Sequence, residues 1–176
     1  VMKSWIASTK KHRITTAQAR GHGRPHAEVV TETIAGIRTG WREGRALVVF
    51  NAAYDLTILR RWDPSFEVLG PVVDPYVVDR AADPYRKGKR TLAALCSHHG
   101  VRLDAAHDAS ADAVAAARLA WKLLGEVPDL VGADWRRVNA QQARWHEERQ
   151  RDFAAYLERT GKDPSGVNTM WPVATV

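Results

Sequence analysis

Two short apolar runs, set between stretches of helical spacing, most constrain the fold of this 176-residue chain. Leu47–Phe50 is a continuous run with β-branched residues, which is typical of a strand covered on both faces. Val72–Val73 is a shorter run that ends at Asp74 and Pro75. Because helical patterns separate the two runs and continue after the second, their order predicts an α/β fold with helices packed on a sheet.

The helical segments are recognised by their period and by their ends. A helix is expected where apolar residues recur every three to four positions, with a capping side chain at the start and Gly or Pro beyond the end. We predict a short helix capped by Thr15 or Thr16, then helices over 26–40, from Asp55 to before Pro64, over 75–82, after an N-cap at Thr91, over 109–124 and over 135–160.

The helix over 109–124 has two apolar stripes. Val114, Ala117, Trp121 and Leu124 form the first stripe, and Ala116, Leu119 and Leu123 align with Asp112 in the second. A carboxylate on a partly apolar face is costly unless a cation or hydrogen-bond donors satisfy it.

Composition limits the class of protein. With 45% hydrophobic residues, the chain is long enough for one core and too short to argue for two. Cys96 is the single cysteine, which excludes an intramolecular disulfide and favours a reducing compartment, the cytoplasm. No stretch approaches the length of a membrane span, so no membrane partner is expected. The net charge of +6 favours a polyanionic partner such as nucleic acid, since basic side chains that neutralise phosphates release counterions.

Two short islands place carboxylates at the start of predicted helices. Asn51 to Asp55 follows the first apolar run, and His107 to Asp112 opens the helix over 109–124. Phosphodiester hydrolysis needs charge stabilised on the attacking and leaving oxygens, which divalent metal held by carboxylate oxygens provides. Asp55 and Asp112 are therefore candidate metal ligands, and His107, whose ordinary pKa is about 6.5, is the candidate general base. Singly, each residue also fits a helix cap, a turn or a surface loop.

A basic loop lies before the helix that Thr91 caps. Four of the five residues of Arg86–Arg90 are basic, and backbone N–H groups at a helix start also attract anions. Arg90 is a candidate phosphate contact, and a solvated loop is the alternative interpretation.

The islands and several segments between them resemble one enzyme family. Asn-Ala-Ala-Tyr-Asp at 51–55 and His-Asp-Ala-Ser-Ala-Asp at 107–112 are similar to the second and third motifs of the DnaQ-like (DEDDh) 3′-to-5′ exonucleases. That family includes the proofreading epsilon subunit of bacterial DNA polymerase III. The resemblance covers residues 12–125 and extends to the segments 73–75, 88–90 and 91–96, while His12–Thr16 resembles the family's His-Gly-Ile-Thr segment.

The resemblance implies a ribonuclease H-like exonuclease domain over 12–127, with a mixed sheet flanked by helices, and a helical C-terminal extension over 128–176. It implies release of nucleoside monophosphates from the 3′ end of a DNA or RNA strand with Mg²⁺ or Mn²⁺, and a DNA polymerase subunit as a partner. The implied roles are metal binding by Asp55 and Asp112, proton abstraction by His107, a position near the site for Asp74, and substrate contacts from Asn51 and His12, with Arg90 added from the basic loop.

The chain departs from the family at its start. The family's first motif, Asp-x-Glu, is not found, because the eleven residues before His12 contain no Asp or Glu, and Arg13 replaces a glycine. We therefore expect N-terminal strands to be lacking and this exact chain to be weakly active or inactive. Two other interpretations stay open: a non-catalytic nucleic-acid-binding or polymerase-associated module, and a helical interaction protein in which the islands are coincidental.

Overall fold

In the computed structural model, residues 14–104 and 108–174 form a mostly helical α/β fold around a small parallel sheet. None of the helices in these two ranges combines the length and apolar content needed to cross a membrane. The elements are α1 (Thr16–His22), α2 (His26–Arg42), β1 (Leu47–Val48), α3 (Ala52–Trp62), β2 (Val72–Val73), α4 (Pro75–Ala82), α5 (Leu92–His98), α6 (Ala109–Glu126) and α7 (Trp135–Arg159).

The sheet of the described residues consists of two parallel strands. Leu47 is opposite Val72 and Val48 is opposite Val73, and the ladder continues with the Val49 N–H donating to the Val73 carbonyl at 3.0 Å. Parallel neighbours need a crossover connection, which α3 supplies. Both predicted strands are thus confirmed, but β1 is half-buried rather than covered on both faces. The mixed sheet is not observed within this part of the chain.

The two residues of β2 face two separate apolar clusters. Val72 and Val73 point to opposite faces of the sheet, as successive strand residues must, and both are buried. One cluster packs α2 and α3 against the sheet, and the other packs α5 and α6 against it. The first contains Ile34, Ala52, Leu56, Phe66, Val72, Val77 and Trp171, and the second contains Val73, Val78, Leu95, Leu119, Ala120, Leu123, Val127, Leu130 and Val138.

Helix α7 completes the free edge of β2 with side-chain amides. The Val72 N–H donates to Asn139 Oδ1 at 3.1 Å, and the Asp74 N–H donates to Gln142 Oε1 at 2.7 Å. Gln142 Nε2 in turn donates to the Val72 carbonyl at 3.0 Å. Since a buried strand edge without partners is costly, these amides form the hydrogen bonds that a third strand would otherwise form. The predicted last helix therefore packs directly on the sheet.

Helix α6 buries the stripe that contains Asp112. Ala116, Leu119 and Leu123 are buried, whereas the Trp121 side chain of the other stripe is 83% exposed. Small side chains let α6 approach α4 and α5 closely, and a tryptophan on that face would hold the helices apart. Asp112 itself is half-buried at the start of the buried stripe.

Candidate functional site

The carboxyl ends of β1 and β2 are tied together by one carboxylate. Asp74 accepts the Asn51 N–H at 2.9 Å, the Ala52 N–H at 2.8 Å and the Tyr76 N–H at 3.0 Å. It therefore caps both α3 and α4, because it satisfies backbone donors in the first turn of each helix. Asp74 is 1% exposed, and this burial raises the pKa of its carboxyl despite the three donors. The predicted position of Asp74 near a catalytic site stays a prediction, and its contacts show that it holds the two strand ends together.

Asn51 makes the sharp corner between β1 and α3. Its backbone has φ 66° and ψ 52°, a left-handed conformation that asparagine adopts more readily than other non-glycine residues. Because the corner is completed here, α3 begins at Ala52, and the prediction that Asp55 begins this helix is wrong by three residues. The Asn51 side chain makes no capping hydrogen bond and is exposed beside the strand end.

Asp55 lies in the first turn of α3 and is exposed. The surrounding protein nevertheless removes enough water to raise the pKa of its carboxyl, which outweighs the lowering effect of its own backbone N–H. Within residues 14–104 and 108–174, no other side chain bonds or pairs with this carboxylate. A raised pKa in the first turn of a helix is unusual, since the helix dipole favours the charged form there. Asp55 is therefore a carboxylate that a cation would stabilise.

Asp112 occupies the corresponding place in α6, in the first turn after the N-cap Asp108. The Asp108 carboxylate accepts the Ala111 N–H at 2.9 Å. The charge of Asp112 contributes to the raised pKa of the Cys96 thiol, which places this acid beside α5. Helix α6 packs on β1, and α3 follows β1 directly, so both candidate metal ligands start helices that adjoin the same strand.

The two predicted histidines, His107 and His12, lie outside the described residues. Among the residues that are described, no three His, Cys, Asp or Glu side chains come together to hold a metal ion. The convergence of Asp55, Asp112 and His107 thus stays a prediction.

The Arg90 side chain is held by hydrogen bonds to α4 and to the basic loop that follows it. Its side chain is 6% exposed, and Nη1 donates to Asp79 Oδ2 at 2.6 Å. The other guanidinium nitrogen donates to the backbone carbonyls of Asp83 and Arg86. A phosphate contact from Arg90 would have to break these bonds, and the predicted substrate contact stays a prediction.

The partner of Arg90 is an acid that the sequence patterns did not single out. Asp79 also binds Arg86 Nη2 at 2.7 Å and His99 Nε2 at 2.8 Å, and it is 1% exposed. Its sequence signal is an acid directly after Val77-Val78 on the buried face of α4, followed by a basic run. A buried acid of this kind needs positive partners, and the basic run supplies them.

Comparisons of the chain with family models, with curated proteins and with solved structures give no match in any of the three.

Proposed function

We propose that this chain is a DnaQ-like exonuclease module that acts on the 3′ end of a DNA or RNA strand, with a ribonuclease H-like arrangement of β1, β2 and their helices. The observation that carries the proposal is the equivalent placement of Asp55 and Asp112. Each is an acid in the first turn of a helix that adjoins β1, and Asp55 has a raised pKa and no side-chain partner among the described residues. A divalent cation would stabilise the charged form of a carboxylate in this state, which supports the proposal.

The proposed roles follow from the chemistry of each group. Asp55 and Asp112 would hold Mg²⁺ or Mn²⁺, which supplies charge stabilisation for the oxygens of the phosphodiester. His107 would accept the proton of the attacking water, because a neutral imidazole is available near pH 7. Asn51 would contact the bound strand from the corner at the end of β1. The hydrolysed bond is the one that joins the terminal nucleotide to the strand.

A second candidate is a non-catalytic nucleic-acid-binding module that docks on a DNA polymerase subunit. This candidate is favoured by the small number of candidate metal ligands, since the given sequence provides two of the four acids that the resemblance implies. Two carboxylates bind a divalent ion weakly, because protein sites for Mg²⁺ complete their coordination with water and substrate phosphates. We therefore expect slow turnover for the 176-residue chain.

The test is a strand-shortening assay with the purified chain and a 5′-labelled single-stranded oligonucleotide. The exonuclease proposal predicts slow shortening with Mn²⁺ or Mg²⁺ and none with EDTA. Asp55→Asn, Asp112→Asn and His107→Ala should each abolish it. Glu126→Gln is the matched control, because it removes an acid from the opposite end of α6, where Glu126 pairs with Lys122 at 2.9 Å.

Two results decide between the candidates. Salt-sensitive binding without any metal-dependent shortening supports the non-catalytic module. Shortening that persists in His107→Ala, or that Glu126→Gln reduces as much as Asp112→Asn does, contradicts the proposed catalytic roles.

A further inference from the structure

A cleft of about 530 Å³ lies between α4 and α7 and begins beside Asn51. Tyr76 and Arg80 of α4 form one wall, and Arg149 and Phe153 of α7 form the other. The cleft thus opens at the carboxyl end of β1, the strand that leads into α3 and Asp55. Apart from Asn51, the residues that line the cleft lie outside the segments that resemble the exonuclease motifs.

The two arginines of the cleft are not neutralised by ion pairs. Arg80 lies over the Tyr76 ring at 5.5 Å, with a long hydrogen bond of 3.4 Å to its hydroxyl, and Arg149 lies over the Phe153 ring at 5.6 Å. In the described ranges no carboxylate oxygen comes within 4.0 Å of either guanidinium. The aromatic faces hold both groups in place and leave their N–H donors available.

Other arginines of α7 behave differently. Arg144 pairs with Glu148 at 3.7 Å, and Arg151 pairs with Glu147 at 2.5 Å. These pairs are one turn apart on an exposed helix face, as is usual for solvated charges. Arg149 lies between them in the sequence and has no such partner.

Two arginines, Arg80 and Arg149, and two acids, Glu148 and Asp152, line the cleft. Burial lowers the pKa of Arg149 most and the charge of Arg80 lowers it next, while Tyr76 and Asp152 each raise it by less. Glu148 also lines the cleft, but its carboxylate is directed to Arg144. Two like charges that repel each other in a partly desolvated cleft are stabilised by an anion between them, and guanidinium groups match the geometry of phosphate oxygens.

Exposed aromatic rings continue from the cleft along α7. The Phe153 and Tyr156 side chains are 37% and 46% exposed, and their rings stack at 6.5 Å with an interplanar angle of 16°. Arg159 lies over the Tyr156 ring at 5.9 Å, so arginines and rings alternate along this face. Alternating positive charge and stacked rings is the arrangement that proteins use to bind unpaired bases.

We propose that the cleft between α4 and α7 binds single-stranded nucleic acid, with a phosphate between Arg80 and Arg149 and bases stacked on Phe153 and Tyr156. The proposal deepens the function proposed above and rests on it for the direction of the strand, whose 3′ end would reach Asn51. A duplex fits poorly, because its bases are already stacked on each other and cannot lie on the rings.

The test measures binding of fluorescein-labelled oligothymidine by anisotropy, with EDTA present so that no turnover occurs. We expect Arg80→Gln with Arg149→Gln to weaken binding about 10-fold or more and to lower the slope of log affinity against log salt by about 0.7, the value for one lost phosphate contact. Phe153→Ala with Tyr156→Ala removes the stacking of two bases, so it should weaken binding about 30-fold or more and leave that slope unchanged.

The matched control is Arg144→Gln with Arg151→Gln, which removes the same amount of charge, all of it from α7, and should change affinity less than 2-fold. Arg149→Gln alone, at an exposed position, should weaken binding and lower the slope by up to about 0.7, even if Arg80→Gln disturbs folding. Equal losses in the two arginine pairs, equally tight binding of a duplex, or no binding of the oligothymidine would overturn the cleft proposal.

The two proposals fail separately. Strand binding that depends on Arg149 but is never followed by metal-dependent shortening refutes only the exonuclease activity. Shortening that Asp55→Asn abolishes, together with binding that no cleft variant weakens, refutes only the cleft.

Discussion

Asp79 is the residue whose removal should most damage the stability of this fold. Its carboxylate is 1% exposed and binds Arg86, Arg90 and His99 at 2.6 to 2.9 Å. Burial alone would raise the pKa of this carboxyl, but the hydrogen bonds from His99, Arg90 and Arg86 outweigh it, so the pKa is lowered. The cluster joins α4, the basic loop after it and the end of α5.

Asp79→Asn keeps the shape of the side chain and removes its charge. The Arg90 guanidinium, with a side chain 6% exposed, then remains buried without a counter-ion, and Arg86, 14% exposed, keeps only a long contact of 3.9 Å with Asp83. Breaking a buried pair in this way costs about 3–5 kcal/mol, against a total stability of about 5–15 kcal/mol for a native protein. For a chain of this length the loss corresponds to a fall in Tm of about 6–20 °C. Thermal and urea unfolding followed by circular dichroism measure both quantities.

Asp104→Asn is the matched control for this prediction. Asp104 pairs with Arg102 at 2.5 Å and with Arg118 at 3.5 Å, but its side chain is 50% exposed. Water replaces such contacts readily, so the control should unfold close to the wild type. If both variants shift the unfolding midpoint equally, the reasoning about Asp79 is refuted.

The Asp79 cluster also predicts a pH dependence. Because the pKa of Asp79 is lowered by folding, its contribution is present above the unfolded pKa of about 3.9 and is lost as the pH falls through the folded value. The difference in unfolding free energy between the wild type and Asp79→Asn should therefore be constant near neutral pH and shrink below about pH 4. A difference that grows on acidification would contradict this sign.

Three further predictions concern other parts of the core. Gly70→Ala places a methyl group 2.3 Å from the Trp41 ring, and we expect a loss of about 1–3 kcal/mol in urea unfolding. Gln142→Leu leaves two backbone groups of the β2 edge unsatisfied and should cost about 2–5 kcal/mol, whereas Gln141→Leu should be nearly neutral, because the Gln141 amide nitrogen has no partner in the described residues. Burial raises the pKa of the Cys96 thiol, so a thiol reagent at pH 8 should modify it slowly in the native protein and fast in urea, and fast native labelling would refute its burial.

Local features were predictable because neighbouring residues decide them. The Thr15 and Thr91 caps, the Pro75 start of α4 and the runs that form β1 and β2 depend on side chains within four positions of each other. Backbone donors at a helix start are satisfied by the nearest hydroxyl or carboxylate, whatever the tertiary structure. The start of α3 was misplaced at Asp55 because the donors of its first turn are satisfied by Asp74, a residue distant in the sequence.

At the candidate site, the sequence predicted roles for Asn51, Asp55 and Asp112, and the structure shows the surroundings of the first two. Asp74 reaches across 23 residues to bond the Asn51 N–H, and this contact fixes where α3 begins. The raised pKa of Asp55 also comes from packing, because desolvation depends on every atom nearby rather than on the neighbouring sequence.

The sequence by itself determined the α/β class, both strands and the approximate position of each helix, because these follow from periods and caps that act over a few residues. Only the tertiary structure decided that Gln142 completes the edge of β2, that α6 buries its small residues and that Asp79 collects Arg86 and Arg90. For each of these contacts, the sequence offers several polar or apolar partners of similar intrinsic strength. Burial decides which partner is used, since leaving a polar group unsatisfied inside the protein costs more free energy than any local preference contributes.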